Sequence, residues 1–280
     1  MIRNNEDRFG PHASGGDEVD NTTDKSVLQF ITPTEFVELP SSGNGYPLGH
    51  PLFQQEAIEI RYMTAKDEDI LTSRSLLKSG MAIDRLISNL IVDKNINPGE
   101  LLMGDRNAII IAARASAYGH EYKTSVSCPS CGHNSKWKFN LSEPDVYSGD
   151  EWEDYDIRKL ENGNYMITLP RTEFNVEVKL LTGKEETKYL KQAAKKRRKD
   201  DETVTQQMKL YIVSIEGHNS QKVINHFLEN APASESRYLR SAVDCITPKL
   251  KITEDFECPS CGHEQELEVP LGADFFWPER

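Results

Sequence analysis

The sequence predicts an α+β fold in which two tandem related α/β units form a pseudo-twofold duplication, joined by a four-cysteine zinc ribbon. Two observations lead to this prediction. The hexapeptide Cys-Pro-Ser-Cys-Gly-His occurs at residues 128–133 and again at residues 258–263. A second run, which begins at Ile58, aligns without gaps over eleven residues with the run that begins at Val176. Each unit therefore contains the same strand-to-helix junction and half of a cysteine cluster.

The duplicated hexapeptide has the spacing of a zinc knuckle. Two cysteines separated by two residues can point both sulfurs at one ion, and four thiolates form the tetrahedral set that zinc prefers. The predicted ligands of one structural zinc ion per chain are Cys128, Cys131, Cys258 and Cys261. This set leaves no open position for a catalytic water. Two disulfides, a redox-active CxxC pair, and a site shared between chains are the alternatives.

Other residues near these motifs are predicted to have different roles. His133 and His263 each lie two residues beyond a predicted ligand, so we expect them to support the site from outside or to face solvent. Cys245 lies late in a predicted helix beside Val243 and Ile246. We expect this fifth cysteine to be a small buried hydrophobic residue.

The composition argues against several classes of protein. The 280 residues carry a formal net charge of −12, which argues against general affinity for nucleic acid or anionic membranes. No apolar run approaches the length of a membrane span. Because the first 25 residues lack the apolar core of a signal peptide and the thiols are expected to bind metal, we predict synthesis in a reducing, intracellular compartment.

The acidic sequence is interrupted by one basic cluster, Lys195–Lys199, which is followed directly by Asp200–Glu202. We predict a solvated helix end and loop whose charges are neutralised locally. A phosphate-binding patch is the alternative.

Four regions follow one another along the chain. Residues 1–34 are predicted to be a flexible leader, because the first 25 are polar and lack periodicity. Residues 35–145 form the first repeat unit with its knuckle, residues 146–164 an acidic linker, and residues 165–280 the second repeat unit with its knuckle. Inside the first unit, the Gly- and Pro-rich loop 41–52 is predicted to lie against a surface through its Tyr and Leu side chains.

Hydrophobic periodicity and capping signals place the elements of the first unit. Thr64 with Asp67 resembles a capping box at the start of a helix, and Gly80 ends that helix. The predicted elements, in order, are a strand at 57–63, helices at 64–79, 82–92 and 105–118, and strands at 122–126 and 135–141.

The second unit repeats this order. Thr182 and Glu185 recreate the cap, and the stretch between strand and knuckle is longer by 12 residues, which we assign to an insertion around the charged loop Lys195–Glu202. The predicted elements are strands at 165–169 and 175–181, helices at 184–195, 203–215 and 234–245, and an additional helix at 220–228 without a first-unit counterpart.

Signatures of common enzymes are absent from the sequence. It contains no phosphate-binding Gly loop, no nucleophile elbow, and no pair of histidines at helical spacing with a glutamate. We therefore predict a protein that is not an enzyme, with no catalytic and no cofactor-binding residues beyond the four cysteines.

A series of segments carries a resemblance to a known family. They are Leu39–Gly43 with Tyr46–Pro47, Ile60–Leu71, Ile83–Leu86, Leu101–Asn107, Ala112–Arg114 with Tyr118–Gly119, and the Cys128–Cys131 knuckle. In this order they resemble the T-even-type bacteriophage baseplate proteins, the family of the hub component of contractile tails. The resemblance covers residues 35 to 145 and reaches the second unit through the repeat and its knuckle.

The resemblance implies a non-enzymatic structural or assembly protein of the baseplate hub. Such a protein is made and assembled in the host cytoplasm and belongs to the virion tail baseplate. The implied partners are other phage tail and baseplate proteins. A homo-oligomer is also considered, whereas neither a membrane segment nor a nucleic-acid partner is expected.

A zinc-ribbon nucleic-acid-binding or transcription-associated factor is the competing prediction. The strand Lys136–Phe139 interleaves lysines with aromatic residues, which can contact phosphates and stack on bases. The net charge of −12 and the acidic strand Glu264–Glu268 argue against this factor.

Overall fold

The computed structural model describes residues 32–195, 204–271 and 273–276. From Pro33 onward the described residues belong to one compact unit. The predicted leader, up to residue 31, and most of the Lys195–Lys199 cluster lie outside the described residues. We refer to residues 35–145 as the first half and to residues 165–280 as the second half.

The first half contains the predicted elements in their predicted order, together with a first strand and a 3-10 helix that were not predicted, and one predicted helix is divided. The helix expected over 64–79 is two helices, which are separated at Ser73 because this residue has an extended backbone (φ −65°, ψ 107°). The elements are β1 (Thr34–Glu38), β2 (Ala57–Arg61), α1 (Ala65–Thr72), α2 (Arg74–Ser79), α3 (Ala82–Leu90), a 3-10 helix (Pro98–Glu100), α4 (Met103–Tyr118), β3 (Glu121–Ser127) and β4 (Asn134–Asn140).

The remaining chain contains the predicted elements in order, together with three short strands that were not predicted (145–147, 157–159 and 249–251), and part of one predicted helix is a strand. The helix expected to reach Ile215 ends at Tyr211, since the β-branched residues that follow pair with the neighbouring strand. The elements are β5 (Asp145–Tyr147), β6 (Ile157–Lys159), β7 (Tyr165–Thr168), β8 (Asn175–Val178), α5 (Gly183–Lys195), α6 (Val204–Tyr211), β9 (Ile212–Ile215), α7 (Gln221–Asn230), α8 (Ala233–Ile246), β10 (Lys249–Lys251), β11 (Thr253–Glu257), β12 (Glu264–Glu268) and a 3-10 helix (Ala273–Phe276).

The strands form small antiparallel sheets between the helices, which confirms the α+β class. Strands β6, β7, β8 and β9 form one sheet in that order, and the other pairs are β1–β2, β3–β4, β10–β5 and β11–β12. Buried residues of both halves share one hydrophobic core, and a small separate cluster contains Cys128 and Cys258. None of the described helices is long and apolar enough to cross a membrane.

The junction between β2 and α1 has the predicted capping box. The Asp67 carboxylate accepts hydrogen bonds from the Thr64 backbone N–H (2.8 Å) and hydroxyl (2.9 Å). Arg61, at the end of β2, pairs with the same carboxylate at 2.7 Å. After α3, Ile91 forms an antiparallel bridge with Ile60 of β2.

The junction between β8 and α5 has the same bonds. The Glu185 carboxylate accepts hydrogen bonds from the Thr182 hydroxyl and from its backbone N–H (3.0 Å), and Lys179 pairs with it at 2.7 Å. After α6, Ile212 of β9 pairs with Val178 of β8. The strand, the cap, the ion pair and the strand that returns after the helices therefore occur in both halves.

The long helix α4 carries a fully buried carboxylate in its first turn. Asp105 accepts hydrogen bonds from the Ser41 N–H (3.0 Å) and hydroxyl (2.6 Å) and from the Tyr46 hydroxyl (2.7 Å). These bonds hold the Gly- and Pro-rich loop against the core of the protein. Tyr46 and Leu52 are buried there, whereas Leu48 is 85% exposed.

Helix α8 has a buried carboxylate at the equivalent position. Glu235 accepts hydrogen bonds from the Arg171 N–H (2.9 Å) and from the Thr172 hydroxyl (2.7 Å), in the loop after β7. The two carboxylates lie 130 positions apart, at 105 and 235. The same distance separates the Leu-Pro pairs at 39–40 and 169–170 and the knuckles at 128 and 258.

The two halves also meet directly through backbone hydrogen bonds. Leu101–Met103, which precedes α4, pairs antiparallel with Leu181–Gly183, which precedes α5, with N···O distances of 3.0 and 3.1 Å. Arg106 of α4 then approaches Glu186 of α5 at 3.5 Å. The halves are thus connected at the starts of two helices.

The segment predicted as an acidic linker, 146–164, packs on the second half. The Trp152 ring lies 5.4 Å from the Tyr165 ring, and the Tyr155 ring lies 5.1 Å from the Tyr238 ring. The Asp156 N–H donates to the Tyr238 hydroxyl at 3.0 Å. This segment therefore covers the face between β7 and α8.

The corresponding face of the first half, between β1 and α4, is a groove of about 380 Å³ among the described residues. Val37 and Ala112 are among the residues that line it. Glu35 and Ala108 also line it, at the positions where the second half carries Tyr165 and Tyr238.

Candidate metal centre

The four predicted ligands lie in the turns of two antiparallel hairpins. The β3–β4 hairpin carries Cys128 and Cys131, and the β11–β12 hairpin carries Cys258 and Cys261. In each turn the N–H of the first cysteine donates to the carbonyl of the histidine, at 2.9 Å in both. The glycine N–H donates back to the carbonyl of the first cysteine, at 2.8 and 2.9 Å. The two hexapeptides therefore fold into the same turn.

A glycine allows each turn to close. Gly132 has φ 71° and Gly262 has φ 67°, in the left-handed region that residues with a Cβ rarely adopt. A Cβ at either position would meet no described atom within 4 Å. The backbone angle, rather than crowding, therefore requires glycine.

The hairpins bring four sulfur atoms together. All four Sγ atoms lie within 4.8 Å of one another, with 3.8 Å between Cys128 and Cys261 and 3.7 Å between Cys131 and Cys258. Tetrahedral zinc with Zn–S bonds of about 2.3 Å separates its sulfurs by about 3.8 Å. A disulfide is only about 2.05 Å long, and the cysteines are free thiols. The sulfur geometry therefore fits one metal ion between the halves better than it fits two disulfides.

The sulfurs also influence one another electrostatically. Desolvation raises the pKa of Cys258, but the backbone N–H groups of Ser260 and Cys261 donate to its sulfur and lower the pKa to about 6. The N–H of His263 lowers the pKa of Cys261, whereas the neighbouring sulfurs raise it to about 12. Thiolates at these distances repel one another, and a divalent cation at their centre would offset that repulsion.

The hairpins pack on each other beside the sulfurs. The Trp137 ring meets the Phe256 ring edge-on at 5.1 Å, and Val126 and Leu267 pack against the same cluster. Cys128 and Cys258 are buried there, whereas Cys131 and Cys261 are exposed. Because this cluster is small, it offers limited hydrophobic stabilisation for the pair of hairpins.

Lysines and aromatic residues of β4 point to opposite sides of the hairpin. Lys136 and Lys138 are exposed, whereas Phe139 is 1% exposed and Trp137 contacts the other hairpin. The aromatic residues are therefore not available for stacking on bases next to the lysines. This arrangement argues against the part of the competing nucleic-acid-binding prediction that depends on this strand.

The base of the first hairpin is anchored in the main core. Tyr122 packs edge-on against Phe275 with ring centroids 4.9 Å apart, and Phe139 is buried beside them. The buried Arg114 side chain donates to the carbonyls of Phe275 and Gly119, both at 3.1 Å. The main core therefore holds the hairpin at one end, and the cysteine turn lies at the other.

The three nearby residues that were not predicted to be ligands, His133, His263 and Cys245, are not part of the sulfur cluster. His133 is exposed and His263 is half-buried, and each contributes its backbone carbonyl to a turn. Cys245 is half-buried rather than fully buried. It lies near the end of α8, where its backbone carbonyl accepts a hydrogen bond from the Tyr147 hydroxyl at 2.7 Å.

Sequence reasoning missed the two buried carboxylates, Asp105 and Glu235, which join each long helix to the loop after a strand. The signal was present, because the Leu-Pro pairs and the knuckles share the same 130-residue spacing. An alignment of the halves with that spacing would have paired the two acids.

Comparison with known proteins gives one match. A family described as T4 bacteriophage base plate protein matches residues 32–277, a range that contains the first half, all but the last three residues of the second half, and both cysteine pairs. No curated protein and no solved structure matches the chain.

Proposed function

Because the chain belongs to the T4 bacteriophage base plate protein family, we propose that it is a non-enzymatic structural or assembly protein of the baseplate hub of a contractile phage tail. The proposed partners are other tail and baseplate proteins. The proposed location is the virion tail baseplate, after assembly in the host cytoplasm. The family match over both halves is the observation that carries this proposal.

We further propose that one structural zinc ion per chain is bound by Cys128, Cys131, Cys258 and Cys261. The convergence of the four sulfurs supports this assignment. A closed set of four thiolates stabilises structure and leaves no position for a reacting water. Metal binding to such sites contributes on the order of 10 kcal/mol to folding in zinc-finger peptides. Zinc would therefore hold together two hairpins that share little apolar surface.

The match between the two hairpins supports a tandem duplication. The capping boxes, the buried carboxylates of α4 and α8, and the cysteine turns recur in the same order in both halves. We propose that a single ancestral module was duplicated and that the zinc ion joins equivalent turns of its two copies. Such a scaffold presents surfaces for assembly partners and needs no catalytic cleft.

Native mass spectrometry with metal analysis tests the metal centre. The full chain should carry one zinc ion per monomer, and C131S and C261S should each lose it. C245S removes a cysteine outside the cluster and should keep the metal. A wild-type chain without metal and with two disulfides would refute the metal centre, and zinc present only in dimers would show a site shared between chains.

Complementation in phage tests the proposed role. A phage with an amber mutation in this gene should make few infectious particles, and wild-type protein or C245S should restore them. C131S and C261S should restore few infectious particles. Normal yields of infectious particles without the protein would refute the proposed role. Mass spectrometry of purified particles would then separate a resident component from an assembly factor.

A further inference from the structure

The two hairpins of the metal centre carry opposite charges on their outer faces. The outer face of β3–β4, here the basic face, contains Glu121, Lys123, Lys136 and Lys138. The outer face of β11–β12, here the acidic face, contains Asp255, Glu257, Glu264, Glu266 and Glu268. We propose that these faces bind each other between copies of this chain, so that copies associate head to tail.

Strand geometry places the two faces on opposite sides of the metal centre. Successive side chains of a strand point to opposite faces. The inner sides of the two hairpins meet through Trp137 and Phe256, with Val126 and Leu267 beside them. The outer sides therefore point away from each other and cannot pair within one chain.

The acidic face works against the stability of its own hairpin. Asp255 lies directly opposite Glu266, and Glu257 lies directly opposite Glu264. Like charges at opposed positions of an antiparallel pair destabilise it. All four side chains are exposed. A basic surface bound to this face would relieve the repulsion between these carboxylates. This relief is a physical reason to expect such binding.

Like charges also lie opposite each other on the basic face, where they are positive. Lys123 lies directly opposite Lys138, and both approach the Glu121 carboxylate, at 2.7 and 3.4 Å. Their side chains remain 53% and 66% exposed. The face contains three lysines and one glutamate, within a chain whose net charge is −12. The basic face is therefore a local exception that suits an acidic partner.

Another copy of the chain supplies such a partner. Because the two faces are different surfaces, their contact is heterologous, and repeated contacts give a ring if the rotation closes and a filament if it does not. Each face is small compared with a standard interface, so we expect association to need micromolar protein and low salt. This proposal does not depend on the hub assignment, because purified protein tests it.

Neutralised variants provide a direct test by analytical ultracentrifugation of micromolar protein at about 50 and 500 mM salt. The wild-type chain should form complexes larger than dimers at low salt and dissociate at high salt. K123Q/K136Q/K138Q and D255N/E264Q/E266Q should each be monomeric alone. An equimolar mixture should give a heterodimer and nothing larger, because each variant keeps only one working face.

Two controls complete the experiment. K66Q/K184Q/K222Q removes the same charge from exposed sites outside the hairpins and should associate like wild type. A chain with the charges exchanged, K123E/K136E/K138E with D255K/E264K/E266K, should recover self-association. Circular dichroism and zinc content should match wild type for every variant. A wild-type chain that stays monomeric at low salt, or a mixture that forms no heterodimer, would overturn the proposal.

Discussion

The two halves of the molecule differ most on the face between the first strand and the long helix. In the second half, Trp152 and Tyr155 cover this face by packing on Tyr165 and Tyr238. In the first half the same face is a groove among the described residues. The halves agree, however, at their capping boxes, their buried carboxylates and their cysteine turns.

The features that the two halves share belong to the backbone framework, and the features that differ lie on one face of each half. The features that agree satisfy backbone N–H groups at helix starts and turns, where a missing partner costs about 1–3 kcal/mol. The features that differ involve side chains on an outer face, where substitutions cost less. Equivalent substitutions in the two halves should therefore both destabilise the framework to a similar degree, whereas on the surface only one of the two should have a marked effect.

The largest effect is expected at the metal centre, where the two halves should respond alike. C131S and C261S lie in different halves, but each removes one of the four proposed ligands of the same ion. Both should lose bound zinc and lower the free energy of unfolding by several kcal/mol, out of a contribution on the order of 10. Metal analysis and urea denaturation measure the two quantities. C245S is the control. Metal loss in only one of C131S and C261S would contradict the prediction that the two halves respond alike.

The buried carboxylates come next, and here a modest asymmetry is expected. D105N should cost about 3 kcal/mol and E235Q about 2, because Asp105 accepts three hydrogen bonds and Glu235 accepts two. Urea denaturation at neutral pH measures both free energies. Equal costs below about 0.5 kcal/mol would show that neither loop depends on its carboxylate.

The pH dependence of Asp105 sharpens this second comparison. Burial raises the pKa of Asp105, although the hydrogen bonds from Ser41 and Tyr46 oppose the change. The folded chain therefore holds a proton at pH values where the unfolded chain has lost it. The stability of wild type relative to D105N should fall as pH rises from the ordinary aspartate range through the raised pKa. A difference independent of pH would contradict this assignment.

Larger side chains on the face between the first strand and the long helix should destabilise the two halves to very different extents. Ala112 and Ala242 are equivalent positions, but Ala112 lines the open groove and Ala242 is fully buried. A242L should cost about 2 kcal/mol through overpacking, and A112L should change stability by less than about 0.5. Thermal unfolding of the two variants measures the difference. Equal costs would mean that the groove has no room for a larger side chain.

The capping boxes give the last comparison of the two halves. D67N should cost about 2 kcal/mol and E185Q about 1, because Asp67 is fully buried and Glu185 is 23% exposed. Burial raises both pKa values, but hydrogen bonds from Arg61 or Lys179 and from the capping threonine lower them below the ordinary range.

The pH dependence of the caps has the opposite sign to that of Asp105. The stability that each cap contributes is present above the ordinary carboxyl pKa and is lost as pH falls through the lowered pKa of the folded state. Unfolding of wild type, D67N and E185Q from pH 7 to pH 2 measures these contributions. A cap contribution that grows on acidification would contradict the observed hydrogen bonds.

The features that sequence predicted well are local or duplicated. The helix start at Thr64, the helix α3 and the turns around Cys128 and Cys258 each depend on residues within a few positions of one another. The meeting of the two cysteine pairs was a long-range prediction, and it followed from chemistry, because two thiolates alone are an incomplete zinc site.

The features that sequence missed depend on distant partners. Residues 212–215 continue an apolar helical pattern, and only pairing with β8 makes them a strand. Trp152 and Tyr155 stand in an acidic stretch, and their partners lie on β7 and α8. Neither contact has a local sequence signal, so composition alone indicated a linker.

The spacing of the cysteine pairs has a consequence for synthesis. Cys128 and Cys258 are 130 positions apart, and ribosomes add about 5–20 residues per second, so roughly ten seconds separate the emergence of the two turns. During that interval the first two thiols lack their partners and are accessible to oxidants and to competing metals. The newly made chain is therefore most vulnerable to chemical damage before its second hairpin leaves the ribosome, and closure of the sulfur cluster ends that period.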